Sequence, residues 1–173
     1  MRLYRWLFIF LMFIPVISYS NTFDTYVNKH CIKGCVSSSS ILKSSMEVAS
    51  SMDLDFKMLL AIAKVESGYR VRAKNGSSVG LMQTHLRWHR SKFSSKNYYD
   101  VKDNIKVGAI VYRDCLKKHK GNIRKALRCY NGGGDKFYVS KVMKAYKDIL
   151  TIQAFKDMDK DPLGGFLTAM NFV

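Results

Sequence analysis

From Ile41 to Leu150 the chain alternates helix-period apolar stripes with short polar breaks, a rhythm that leaves room for little but a helical domain. Leu42, Met46 and Ala49 share one side of a helix expected over Ile41 to about Ser51. Glu47 falls roughly 140° from Leu42, at about 100° per residue, and is expected to be solvated. Asp53 or Asp55 is suited to cap a second helix over residues 55 to 67, which Gly68 helps to end. Asp100 or Asp103 is suited to cap another, in which Ile105, Gly108, Ala109, Tyr112 and Leu116 keep helical spacing until Gly121-Asn122 breaks it. Ile123, Ala126, Leu127 and Tyr130 form a further apolar face, closed by Asn131-Gly132-Gly133-Gly134. Val139, Val142, Met143, Tyr146, Ile149 and Leu150 mark a last long helix. Between Tyr69 and Gly80 the period disappears, so a loop or short hairpin is expected there, with a helix beginning near Met82 to Thr84. The fold class is mainly α, a single compact helical domain with a small irregular or β insert after the second helix.

Upstream lies a different kind of segment. MRLYRWLFIFLMFIPVISYS begins with Arg2 and Arg5, runs apolar from Trp6 to Ile17, and ends in the small-x-small pattern Ser18-Tyr19-Ser20. That is the pattern of a cleavable export signal over residues 1–20. The apolar run is shorter than the roughly 20 residues that span a bilayer, and Pro15 interrupts it, so contact with the membrane is expected through this segment alone. Residues 21–155 then form the domain and 156–173, with Pro162 and Gly164-Gly165, a tail.

The net charge of +16 includes Arg2 and Arg5, so the exported part carries +14, a surface that seeks a polyanion. For an exported chain, anionic lipid, lipopolysaccharide or an acidic wall polymer fits better than nucleic acid, for which no binding module is recognisable. An oxidising compartment lets Cys31, Cys35, Cys115 and Cys129 pair in three ways; Cys31 with Cys35 and Cys115 with Cys129 is favoured, the second pair joining adjacent helices. His30 beside Cys31 lacks a second ligand pair, and His85 and His89 lack the glutamate of a zinc-protease helix, so no metal is expected. The last two read as surface histidines beside Trp88.

Only two glutamates occur, and Glu66 stands out. It lies seven residues after Leu59, on the apolar face shared by Ile62 and Ala63, immediately before Ser67-Gly68. Burial there would raise its pKa toward the value a general acid needs near neutrality. A glutamate in the last helical turn paired with Lys64 or Arg70 would occupy the same position.

The sequence around it carries further motifs: ESGYR at 66–70, VGLMQ at 79–83, DVKDNIKVG at 100–108 and ALRCYNGG at 126–133. In this order and spacing they resemble the soluble, goose-lysozyme-like lytic transglycosylases, in particular the small exported forms of secretion systems and phages. The resemblance implies a lysozyme-like α+β fold over about residues 41 to 147. It implies cleavage of the β-1,4 bond between N-acetylmuramic acid and N-acetylglucosamine in peptidoglycan, leaving 1,6-anhydromuramic ends. Glu66 would serve as acid and then base, with no cofactor and no second carboxylate, because the muramic acetamido group stabilises the anomeric centre. Gln83 resembles the family's substrate-contacting glutamine and Met82 its apolar cleft neighbour. Tyr130 resembles the tyrosine whose hydroxyl approaches the catalytic carboxylate, with Asn131 beside it. Ser77 and Ser78 are the candidate serine contacts to the sugar. The partners implied are peptidoglycan strands and a secretion-system or phage lysis component, in the periplasm or outside the cell.

Two readings compete. An aspartate such as Asp135 or Asp100 reaching the water side of the bond would make the protein a hydrolytic muramidase. Loss of turnover on the same scaffold would leave a cationic wall-binding protein. The basic run Lys117 to Lys120 with Arg124, Lys125 and Arg128 is a solvated face that would aid encounter with an anionic wall.

Overall fold

The computed structural model describes residues 23–29 and 38–152. The expected export signal, the Cys31 and Cys35 pair and the tail lie outside the described residues. Helix α1 covers 23–29, α2 Ser38–Met52 and α3 Phe56–Ser67. A three-stranded antiparallel sheet follows, with β1 at Lys74–Asn75, β2 at Ser78–Val79 and β3 at Thr84–His85, in that order. The short α4 (Leu86–His89) and a 3-10 turn lead to α5 (Val101–Lys118), α6 (Ile123–Tyr130) and α7 (Tyr138–Leu150).

Helix α3 is the centre of the molecule. Met58 to Ala63 are buried without a break, as expected of a helix apolar all round, and α2 and α7 pack against it. Asp55 caps its start by accepting from the Lys57 amide, and Gly68, left-handed at φ 59°, closes its end. Asp100 and Asn122 cap α5 and α6 in the same way, at the breaks where the sequence stripes are interrupted.

The core also holds the insert in place. Tyr69, at φ 63° and fully buried, packs edge-on against Phe23 and Tyr26 of α1, which turns the chain sharply after α3. Gly76 supplies the positive φ at the first position of the two-residue loop between β1 and β2. Asn104 of α5 then locks the sheet to the helices: its Nδ2 donates to the carbonyls of Val79 and Tyr98, and its Oδ1 accepts from the Met82 amide.

Four expectations need correction. The helix expected from Met82–Thr84 is strand β3 at first, because Thr84 and His85 pair with Val79 and Ser78 before the chain turns into α4. Helix α2 begins at Ser38, earlier than its apolar stripe suggested. Glu47 is part-buried and bonded to Lys102 at 2.6 Å, where α5 packs on α2, and is not free in solvent. Ile123 is 43 % exposed, so the α6 stripe is buried chiefly through Ala126 and Leu127.

Candidate active site

Glu66 stands in the last turn of the buried helix α3, next to its final residue, so its carboxyl leaves the core and enters a cleft. Its Oε1 accepts a 2.7 Å hydrogen bond from the Tyr138 hydroxyl, and Oε2 has no partner among the described residues. Burial pushes the Glu66 carboxyl up from 4.5 to about 7, against the lowering effect of the Tyr138 bond. The ion pair considered from the sequence does not form: Lys64 reaches Tyr26 (2.7 Å) and Asp148 (3.5 Å), and Arg70 Nε donates to the Ser67 carbonyl (2.8 Å). Near neutrality this carboxyl can both give and take a proton.

Two arms of the cleft meet at Glu66, Asn75 and Gln83. One, of about 500 Å³, is bounded by Arg70, Arg72 and Lys74. The other, of about 780 Å³, passes Ser78, His85, Trp88, His89, Lys92 and the Cys115–Cys129 bridge to Asn131. An elongated, polar groove of this kind suits an extended glycan better than a compact ligand. Trp88, 66 % exposed, offers its ring on the wall of the larger arm.

Gln83 is held with φ at 44°, and its amide nitrogen donates to the carbonyls of Ala73 (3.2 Å) and Gly80 (3.0 Å). Those two bonds fix the amide and leave its oxygen as the group available to a ligand. The strained backbone is tolerated because Asn104 pins the preceding residue. Of the two serines, Ser78 lines the cleft, whereas Ser77 is exposed at the hairpin turn, its carbonyl accepting from the Leu86 amide. Asn131 caps the end of α6 and accepts from the Asp135 amide, and it too lines the cleft.

Two residues, Tyr130 and Met82, are placed otherwise than the resemblance implied. The Tyr130 hydroxyl donates to the Met82 carbonyl (2.8 Å) and not to Glu66; Tyr138, stacked on the Tyr130 ring, makes the carboxylate contact. Burial and the nearby Glu66 charge raise the pKa of both phenols, so they remain neutral donors. Met82 is fully buried and packs under Gly108, so its side chain belongs to the core and its carbonyl to the cleft floor. Asp100 and Asp135, the aspartates weighed for a hydrolytic role, are occupied elsewhere: Asp100 caps α5, and Asp135 pairs with Lys141 at 2.7 Å.

The sequence also left residues unnoticed. Tyr138 precedes Val142, Ala145 and Ile149 at helical spacing, a stripe that would have buried it and demanded a partner for its hydroxyl. Asp114 lines the far part of the larger arm, exposed, where its charge acts on His89. Cys115 and Cys129 are bonded as favoured, with Cα atoms 5.9 Å apart, tying α5 to α6. Among the described residues no cluster of His, Cys, Asp or Glu could hold a metal ion, and no helix is long and apolar enough to cross a membrane.

Residues 44–150 match the family model described as Transglycosylase SLT domain. The match covers more than half of the chain and contains Glu66 and both arms of its cleft. No solved structure matches the chain.

Proposed function

The chain belongs to the transglycosylase SLT domain family and is a peptidoglycan lytic transglycosylase, and on that premise we propose that Glu66 is its catalytic residue, acting first as acid and then as base. The observation that carries this reading is a single part-buried carboxyl, raised to about 7, lying where both arms of the cleft meet.

The bond cut is the β-1,4 link from N-acetylmuramic acid to N-acetylglucosamine. Protonated Glu66 gives its proton to the bridging oxygen as the bond from that oxygen to the anomeric carbon breaks. The carbonyl oxygen of the muramic 2-acetamido group closes on the anomeric carbon and holds its positive charge, which removes the need for a second carboxylate. Glu66, now ionised and steadied by the Tyr138 hydroxyl, takes the proton from the 6-hydroxyl of the same sugar. That oxygen displaces the acetamido group, closing the 1,6-anhydro ring, and Glu66 ends protonated as it began. No water is consumed.

Gln83 and Ser78 are suited to hold the sugars on either side of Glu66, with Asn131 and Trp88 further along the larger arm. Tyr130 is a positioning residue, supporting the Met82 to Gln83 backbone through the Met82 carbonyl. Action on peptidoglycan is extracytoplasmic, in keeping with the export signal expected at residues 1–20. A secretion apparatus or a phage lysis programme would each require local wall opening of this kind.

The test is digestion of purified peptidoglycan by the protein and by its Glu66→Gln variant, with the products read by mass spectrometry. Anhydromuramic ends, lighter than hydrated ends by one water and absent with the variant, are expected. Hydrated reducing ends would instead identify a muramidase, and no cleavage by folded protein a wall-binding role.

A further inference from the structure

Apart from Glu66, the charges that line the smaller arm of the cleft are all positive. Arg70, Arg72 and Lys74 bound it together with Ala73, Asn75, Gln83 and Glu66, and no aspartate lines it. Among the described residues these three cations have no carboxylate partner; the ion pairs there join Lys64 to Asp148, Lys102 to Glu47 and Lys141 to Asp135. The larger arm, by contrast, sets Asp114 among its basic residues.

The chain enforces this arrangement. Burial alternates along the segment: Tyr69 and Val71 are sunk in the core while Arg70, Arg72 and Lys74 are exposed. The Arg70 side chain is further fixed through its Nε bond to the Ser67 carbonyl, at the end of the Glu66 helix. The cations do not serve to set the protonation of Glu66, which follows burial and the Tyr138 bond. Like charges held side by side without partners repel one another, and an anionic ligand relieves that cost.

We propose that Arg70, Arg72 and Lys74 form a carboxylate-binding arm of the cleft that takes the peptide stems borne by muramic acid, so that peptide-bearing strands are cut in preference to uncharged or denuded ones. This rests on the transglycosylase reading and names the substrate class of the same site. Stem peptides carry free carboxylates several bonds away from the sugar, within reach of flexible arginine and lysine side chains beside a bound glycan. A denuded strand also bears a carboxylate, on the lactyl ether itself, so the two sources must be separated by experiment.

The variant is Arg72→Gln with Lys74→Gln, two exposed positions; Arg70 is kept because it supports the end of α3. Steady-state cleavage is compared on peptide-bearing strands, on the same strands with stem carboxylates converted to methylamides, and on amidase-denuded strands. The wild-type KM should be lowest on peptide-bearing strands and about fivefold to tenfold higher on the methylamide form, as two exposed charge pairs would give. The double variant should lose that difference while kcat stays within about twofold, since these groups do not touch the reacting atoms. Equal wild-type KM on peptide-bearing and methylamide strands would overturn the proposal. So would an equal loss by the variant on both, or denuded strands performing as well as peptide-bearing ones, which would assign the arm to the lactyl carboxylate. Co-sedimentation of the Glu66→Gln protein with the same three materials repeats the comparison without catalysis. A preference for stems there, with no cleavage by the wild type, would keep the carboxylate arm and reject the transglycosylase mechanism.

Discussion

The Tyr138 hydroxyl donates to Oε1 of Glu66 at 2.7 Å, across 72 residues of sequence, and so joins the first turn of α7 to the last turn of α3. The bond favours the ionised carboxylate, opposing the burial that favours the acid. Tyr138→Phe should therefore raise the Glu66 pKa above about 7 and move the alkaline limb of the kcat/KM profile upward. Turnover should fall by about tenfold to a hundredfold, because a hydrogen bond to a charged group contributes about 1.5 to 3 kcal/mol and the base step needs the anion. A pH–rate profile distinguishes the cases: loss of rate with an unmoved limb would mean that Tyr138 only packs.

Glu66 should also cost the fold stability in alkali. Its folded pKa of about 7 lies above the ordinary 4.5, so the native state holds the proton more tightly than the unfolded chain does. The contribution is fully present below 4.5 and lost as pH rises through about 7. At about 1.36 kcal/mol per unit, the loss above neutrality is on the order of 3 kcal/mol. Glu66→Gln, which cannot ionise, should thus be inactive by about a hundredfold or more and yet more stable than wild type at pH 8, with the advantage vanishing at pH 4. Thermal unfolding at the two pH values measures it, and a pH-independent difference would refute the burial argument.

Asn104 holds three backbone groups of the insert with one side chain. Asn104→Ala leaves the buried Met82 amide without its acceptor, at a cost of about 1 to 3 kcal/mol, beyond the loss of the two donated bonds. Gln83 follows Met82 directly, so the damage should reach the cleft. Binding of glycan fragments should weaken severalfold at temperatures where circular dichroism shows the helices intact. Unchanged binding in a folded variant would separate Asn104 from the site.

What the sequence made legible was what local chemistry decides. Asp55 and Asp100, each one of two aspartates suited to the place, mark helix starts because each satisfies an amide of its own first turn, and Glu66 is legible because seven residues from Leu59 return to the same helical face. Strand β3 was not, since Thr84 and His85 are extended through pairing with Val79 and Ser78. That Tyr138, and not Tyr130, donates to Glu66 has the same origin. Both lie on buried helical stripes and both need an acceptor, but which one meets Glu66 is set by how α7 packs on α3, a relation that no spacing encodes. The resemblance put Met82 in the cleft; Gly108 lets α5 come close enough to cover it.

The Cys115–Cys129 bridge should matter to activity as well as to stability. Helix α6 is eight residues long and fully buries only Ala126 and Leu127, a shallow hold for the element that carries Tyr130 and ends at Asn131. The bridge closes a loop with a sequence separation of 14, for which chain entropy gives about 3 kcal/mol. Replacing both cysteines by alanine should lower Tm by about 6 to 12 °C for a domain of this size. Before global unfolding, α6 should open locally, breaking the bond from Tyr130 to the Met82 carbonyl and loosening Gln83. Amide exchange over residues 123–131 should therefore quicken more than exchange in α3, and cleavage should decline at temperatures where α3 remains protected. The alanine pair is preferable to a reductant, which would not be confined to this bridge if Cys31 and Cys35 pair as the sequence leads one to expect. Uniform acceleration across α3 and α6 would show that the bridge stabilises the domain as a whole and has no special hold on the cleft.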